Sequence, residues 1–251
     1  PAQPAQKFLG GLLHQSRNLE KATALTEVCL LAAAYYLFIV FLARVLGDVS
    51  FWQSSFSGPT QQLAAGFTRS VAAQLFFIVV LAVVIRNRTV LEALRSLRQK
   101  APAAGWFIAL AAAFIHATVL AAGWIENPSR IFDVSLLNLS LSLIPAADGF
   151  SQEVFFRGYV VLRLARDGFS RTTQVVVSGL LFGLLHWNWG LHLSAPSWLD
   201  VLSPVLGTFI LGVVFAFAFQ ASKYRLLPVV VAHVLLIIII QPWLGLTYLT
   251  P

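Results

Sequence analysis

The chain has 251 residues, with 17 Lys and Arg against 10 Asp and Glu, and 58% of it is apolar. Soluble domains run at about 45–50% apolar and about 25% charged. At 11% charged and a mean hydropathy of +0.80, the composition excludes a soluble fold, a disordered chain, a disulfide scaffold and a nucleic-acid module. Cys29 is the single cysteine, so it forms no internal disulfide and leaves the redox compartment unread.

One spanning helix needs about 20 apolar residues, so the composition predicts about seven spans. Residues 1–24 form an N-terminal cytoplasmic or interfacial segment. There Phe8, Leu12 and Leu19 share one face of an amphipathic helix, with Lys7, Arg17 and Lys21 reaching lipid headgroups. Gly10 and Gly11 weaken that helix, and a disordered basic tail is the other reading. The first span, 25–46, is too long for a signal-peptide core, and no small-residue cleavage site follows it. Runs at 70–85 and 103–125 complete three N-terminal spans within 25–133. The run at 134–164 is too long for one straight helix and contains Pro145, which predicts a kinked or broken fourth span. Runs at 172–189, 201–221 and 226–241 complete an all-α polytopic membrane helical bundle.

The loops sort by charge. Arg86, Arg88, Arg95, Arg98 and Lys100 face only Glu92 after the second span. Arg163, Arg166 and Arg171 accompany Asp167 after the fourth, and Lys223 and Arg225 precede the seventh. The loops between hold Asp48 and Arg69, then Glu126, Arg130 and Asp133, then Asp200 alone. Basic and non-basic loops thus alternate, with Arg44 the one dissent. The positive-inside rule then puts the N-terminus in the cytoplasm and the C-terminus on the opposite side. Trp187, Trp189, Trp198 and Trp243 fit an aromatic belt at the outer interface.

Ionisable residues inside spans are costly and default to functional hypotheses. Glu27 and Arg44 lie at the edges of the first span, where they reach the interface. Deeper are His116, Asp148, Glu153, Arg157, His186 and His233. Glu153 and Arg157 are four apart and share a helix face, so they pair. Asp148 shares a face with Gln152, or caps the helix that starts after Pro145. His186 follows Phe182 by one turn, on a span whose Gly179 and Gly183 admit a neighbouring helix closely. His116 makes an interhelical hydrogen bond or, as a weak cofactor candidate, ligates a pigment or haem.

Three motifs stand in order: Gln152-Glu153-Val-Phe-Phe-Arg157-Gly158, Phe182-Gly-Leu-Leu-His186 and His233-Val-Leu-Leu-Ile237. Over residues 134–251 this resembles the CPBP family of intramembrane proteases, which includes the type II CAAX prenyl endopeptidases (Ras-converting enzyme) and bacteriocin-immunity relatives. The resemblance implies a multi-spanning bundle whose catalytic positions are Glu153, Arg157, His186 and His233. It also implies the chemistry: a carboxylate and a His activate a water, a second His and an amide stabilise the oxyanion, and the Arg orients the carboxylates. A metal at His186, His233 and Glu153 is disfavoured, because the spacings do not match a standard zinc motif.

Two positions depart from the family pattern. Gln152 stands where the resemblance implies the general base, and Ile237 where it implies the amide donor. Gln takes no proton from water at neutral pH, and Ile donates nothing. The sequence therefore predicts a catalytically impaired family member that acts as a scaffold or assembly subunit. Its partners are membrane lipids and other integral membrane proteins, and it binds no nucleic acid. An active endopeptidase for prenylated or transmembrane peptides is the alternative, and a pigment- or lipid-binding subunit the second. One depth count opposes a shared site. At about 1.5 Å per residue, His233 lies about 10 Å from the cytoplasmic end of its span, Glu153 about 16 Å and His186 about 21 Å.

Overall fold

In a computed structural model, the described residues are 3–47, 73–84, 87–122, 146–187 and 197–249. They form helices, and no strand occurs among them. Helix α1 is Gln3–Gly47. Helix α2, Ala73–Val79, continues as a π-helical turn over Val80–Val84. Helix α3 is Arg88–Ser96 and α4 is Ala103–Ala122. Helix α5 covers 146–166 and is π-helical over Val154–Val161. Then come α6, Arg171–Leu185, α7, Trp198–Ala221, and α8, Leu227–Leu249.

Among the described residues, three helical segments are long and apolar enough to cross a membrane, Ser16–Phe38, Ala103–Leu120 and Val201–Ala221, or four if the bent pair Gln74–Val83 and Arg88–Ser96 is one broken span. Arg171–Leu185 and Leu227–Ile240 are shorter apolar helices. Large apolar side chains point outward, among them Leu30, Leu37, Phe107, Phe114, Ile115, Ile210 and Phe217. An exposed apolar surface of this extent suits hydrocarbon, not water. The expected break at Pro145 lies outside the described residues, as do Arg69, Glu126, Arg130, Asp133 and Trp189.

From Gln3 the backbone is helical, and the helix runs unbroken to Gly47. The segment between the second and third spans is more than a charged loop. Asn87 accepts from the Thr89 N–H at 3.0 Å and caps α3, which satisfies one of the free donors of a helix start. Thr89, Val90, Ala93 and Ser96 then face inward, and Arg88, Glu92 and Arg95 face out.

The middle of α5 is the core. Every residue of Val154–Val161 is buried. Tyr35 of α1 stacks on Phe155 at 4.9 Å, Ala93 of α3 abuts Gly158, and Ser178 of α6 donates to the Phe156 carbonyl at 3.1 Å. One end of the bundle gathers the basic segments. Glu27 of α1 accepts from Tyr159 at 2.6 Å and from Arg163 at 3.0 and 2.9 Å. Arg163 also pairs with Asp167, and Arg166 with Glu92 of α3. Ser96 accepts from the Leu226 N–H at 3.1 Å, and Gln220 donates to the Arg171 carbonyl at 3.0 Å. Helices α5 and α7 therefore end where α4, α6 and α8 begin. Glu27 ties α1 to α5 at this end. Arg44 has no described side chain.

Candidate functional site

Helix α5 contributes the acid and the base of a buried ion pair. Arg157 Nη1 donates to Glu153 Oε1 at 2.8 Å, and both side chains are fully buried. The four-residue spacing produces this contact. Arg157 Nη2 reaches α7 and donates to the Gly212 carbonyl at 3.1 Å. The guanidinium also lies 4.6 Å from the Phe182 ring centroid and 5.5 Å from that of Phe215. Such cation–π contacts strengthen where water is excluded.

Helix α8 brings His233 to the same carboxylate, with His233 Nδ1 2.7 Å from Glu153 Oε1. A carboxylate only accepts, so Nδ1 is the donor and Nε2 is the ring nitrogen not engaged by Glu153. The His233 ring packs edge-on against Phe182 at 5.7 Å and Phe215 at 5.6 Å. His186 is the C-cap of α6, at the end of its helix and not within it. Its Nδ1 lies 2.8 Å from the Phe182 carbonyl. A carbonyl also only accepts, so the same tautomer follows. The His186 ring sits 4.8 Å from Phe182, so Phe182 bridges the two imidazoles.

The depth conflict narrows for a local reason. The π-helical stretch between Glu153 and Arg163 has i→i+5 bonding. It is wider and shorter than an α-helix of equal residue count, which draws Glu153 toward the basic end, and Glu153 meets His233 at 2.7 Å.

Gln152 and Ile237 are both half-buried. Ile237 lies one turn beyond His233, its Cδ1 2.8 Å from where a Cβ on Gly149 would stand. His233 Cδ2 is 3.4 Å from the same point. Gly149 thus provides the notch that lets α8 close on α5 here. Among the described residues, Ser151 Oγ, Gln152 Oε1, Glu153 Oε2 and Arg157 Nε are buried without a hydrogen-bond partner. Buried polar atoms are normally satisfied, so such a group calls for a bound water or ligand. The described residues hold no group of three His, Cys, Asp or Glu placed to bind a metal.

His116 is half-buried on α4, and its Cε1 is 3.8 Å from the position a Cβ on Gly207 of α7 would take. Asp148 is half-buried near the start of the described part of α5. Whether it caps the helix depends on residues outside the description. Sequence reasoning missed Gly149, Gly212 and Phe215. A lone Gly or Phe within an apolar run carries no chemical signal; Gly149, three residues before Gln152, was the one open to inference.

Residues 135–239 match the family model of the Rce1-like type II CAAX prenyl endopeptidases. The match spans all three motifs. No curated protein and no solved structure matches the chain.

Proposed function

Given that the chain carries an Rce1-like domain of the CAAX-protease family, we propose that it is a seven-span member with its peptidase chemistry impaired, retained as a scaffold or assembly subunit of a membrane complex. The carrying observation is the pairing of Ile237 with Gly149. An apolar side chain fills the position one turn past His233, where the family chemistry asks for an oxyanion donor. Gln152 removes the implied base. Glu153 is committed to a structural pair, since Arg157 and His233 both bond its Oε1, and only its Oε2 is left unbonded. The alternating direction of α4 to α8 at the basic end supports the seven-span reading, with the N-terminus cytoplasmic.

General-base catalysis is worth about 10²–10⁴ in rate and one oxyanion donor about 10²–10³. Losing both slows the site by up to about 10⁷, an upper bound because such groups act together. The test is cleavage of a fluorogenic prenyl-peptide and a transmembrane-peptide panel by the unaltered chain in nanodiscs. No turnover is expected. Turnover abolished by His233→Ala, with folding unchanged, overturns the proposal.

One observation favours the second reading, a working endopeptidase. The Glu153–His233 contact leaves His233 Nε2 as an acceptor held by a carboxylate, which is how an imidazole base is oriented. In that reading Glu153 positions His233, and His233 takes the proton from water. Loss of turnover in both Glu153→Gln and His233→Ala would establish it.

A further inference from the structure

We propose that the outward face of α3, with the turn at 222–225, docks anionic lipid headgroups at the bilayer surface. The inference depends on the membrane reading of the chain and not on whether the site is catalytic.

The basic residues at this end fall into two groups. Arg163 and Arg166 are each paired with a carboxylate. Arg88, Arg95, Arg98, Lys100 and Lys223 are exposed, and none has an ion pair or side-chain hydrogen bond among the described residues. Arg88 and Arg95 are two turns apart on α3, so they form one stripe, which Arg98 extends.

The Ser96–Leu226 hydrogen bond fastens the end of α3 to the α7–α8 turn, placing Lys223 beside this stripe. That turn is held in an unusual conformation. Lys223 and Tyr224 both have positive φ, 53° and 59°, which non-glycine residues adopt at a cost. The Tyr224 N–H bonds the Phe219 carbonyl at 2.9 Å, and its ring packs against Phe219. The turn is thus anchored through Tyr224, while Lys223 faces outward.

Helix α4, which follows this segment in the chain, carries exposed apolar side chains, Phe107 and Phe114, 75% and 70% exposed. Leu91 adds an exposed apolar side chain to α3 itself. A cationic rim above an apolar wall complements a bilayer with anionic headgroups, whereas an acidic protein would leave the wall uncovered. Each basic residue near such a surface adds about fivefold to binding.

The test measures the selectivity of the full chain in nanodiscs for spin-labelled phosphatidylglycerol over phosphatidylcholine. Expected are a preference for phosphatidylglycerol and its collapse at high salt. The variant R88Q/R95Q/R98Q should lower that preference by at least about fivefold, while R88K/R95K/R98K retains it. If the glutamine variant fails to fold, the salt dependence of the unaltered protein and the effect of Lys223→Gln decide. Equal association of both lipids, a salt-independent preference, or complete competition by inorganic phosphate overturns the proposal. A chain that enters nanodiscs yet shows no preference refutes the headgroup site alone, and a chain that stays in solution refutes the membrane reading.

Discussion

Arg157 holds three helices together. It pairs with Glu153 on α5, donates to Gly212 on α7 and lies against Phe182 on α6. Removing it strands a fully buried carboxylate, so Arg157→Ala should destabilise by about 3–5 kcal/mol. Arg157→Lys keeps one charge contact but loses the second arm and the planar stacking, and should fall between. Melting of both variants in detergent checks the order; an Arg157→Ala as stable as the parent shows that the pair holds nothing. At Gln152 and Ile237 the expectation concerns chemistry. Gln152→Glu alone should restore little activity, because Ile237 still offers no donor. Gln152→Glu with Ile237→Asn is the fair test of latent turnover, read with the same peptide panel. The double variant must also tolerate a new carboxylate beside Glu153, so folding is measured alongside. The Glu153–Arg157 pair was legible in the sequence because helical spacing alone creates it. The Glu153–His233 contact followed only from the order of the motifs, since no local spacing links residues on α5 and α8.

Helices α6 and α7 meet along glycines. A Cβ on Gly183 would stand 2.8 Å from the Val205 carbonyl oxygen, and one on Gly179 2.6 Å from Val213 Cγ2. A Cβ on Gly212 would meet the Gly179 backbone at 3.0 Å. Lipid supplies no hydrophobic drive for association, so close backbone contact does that work. Gly183→Ala should therefore push the helices apart, at about 1–3 kcal/mol for overpacking. Gly207→Ala on α7 is the control, since its Cβ would meet His116 at an ordinary 3.8 Å. Equal melting of the two variants would remove the seam from the account. Gly179 and Gly183 were readable as a small-residue face, but their partner Gly212 was not, because residues in a uniformly apolar helix show no period that marks a contact. Helix α3 was hidden for a different reason. A tally of charge treats Arg88–Lys100 as a loop, whereas its cap at Asn87 and its inward Val90 and Ala93 make it a docked helix.

For the whole molecule, the alternation of loop charge and the geometry of the basic end point the same way. Glu27 with Tyr159 and Arg163, Arg166 with Glu92, and Ser96 with Leu226 bring four segments distant in sequence to one end. Loop charges gather these segments as basic but do not name these partners, because a hydrogen bond between Glu27 and Tyr159 leaves no trace in either local sequence. Helix α7 has 24 residues; at about 1.5 Å each this is about 36 Å, enough for the hydrocarbon core of about 30 Å. Its start at Ser197 should therefore emerge on the side opposite Gln99. Ser96 is a poor reporter of the basic side, being buried and bonded to Leu226, whereas Gln99 is exposed. In a Cys29→Ala background, Gln99→Cys should react with a membrane-impermeant maleimide only from the cytoplasmic side, and Ser197→Cys only from the other. Labelling of both from one side would fold α7 back on itself, and with it overturn the proposed alternating topology and the cytoplasmic N-terminus proposed with it.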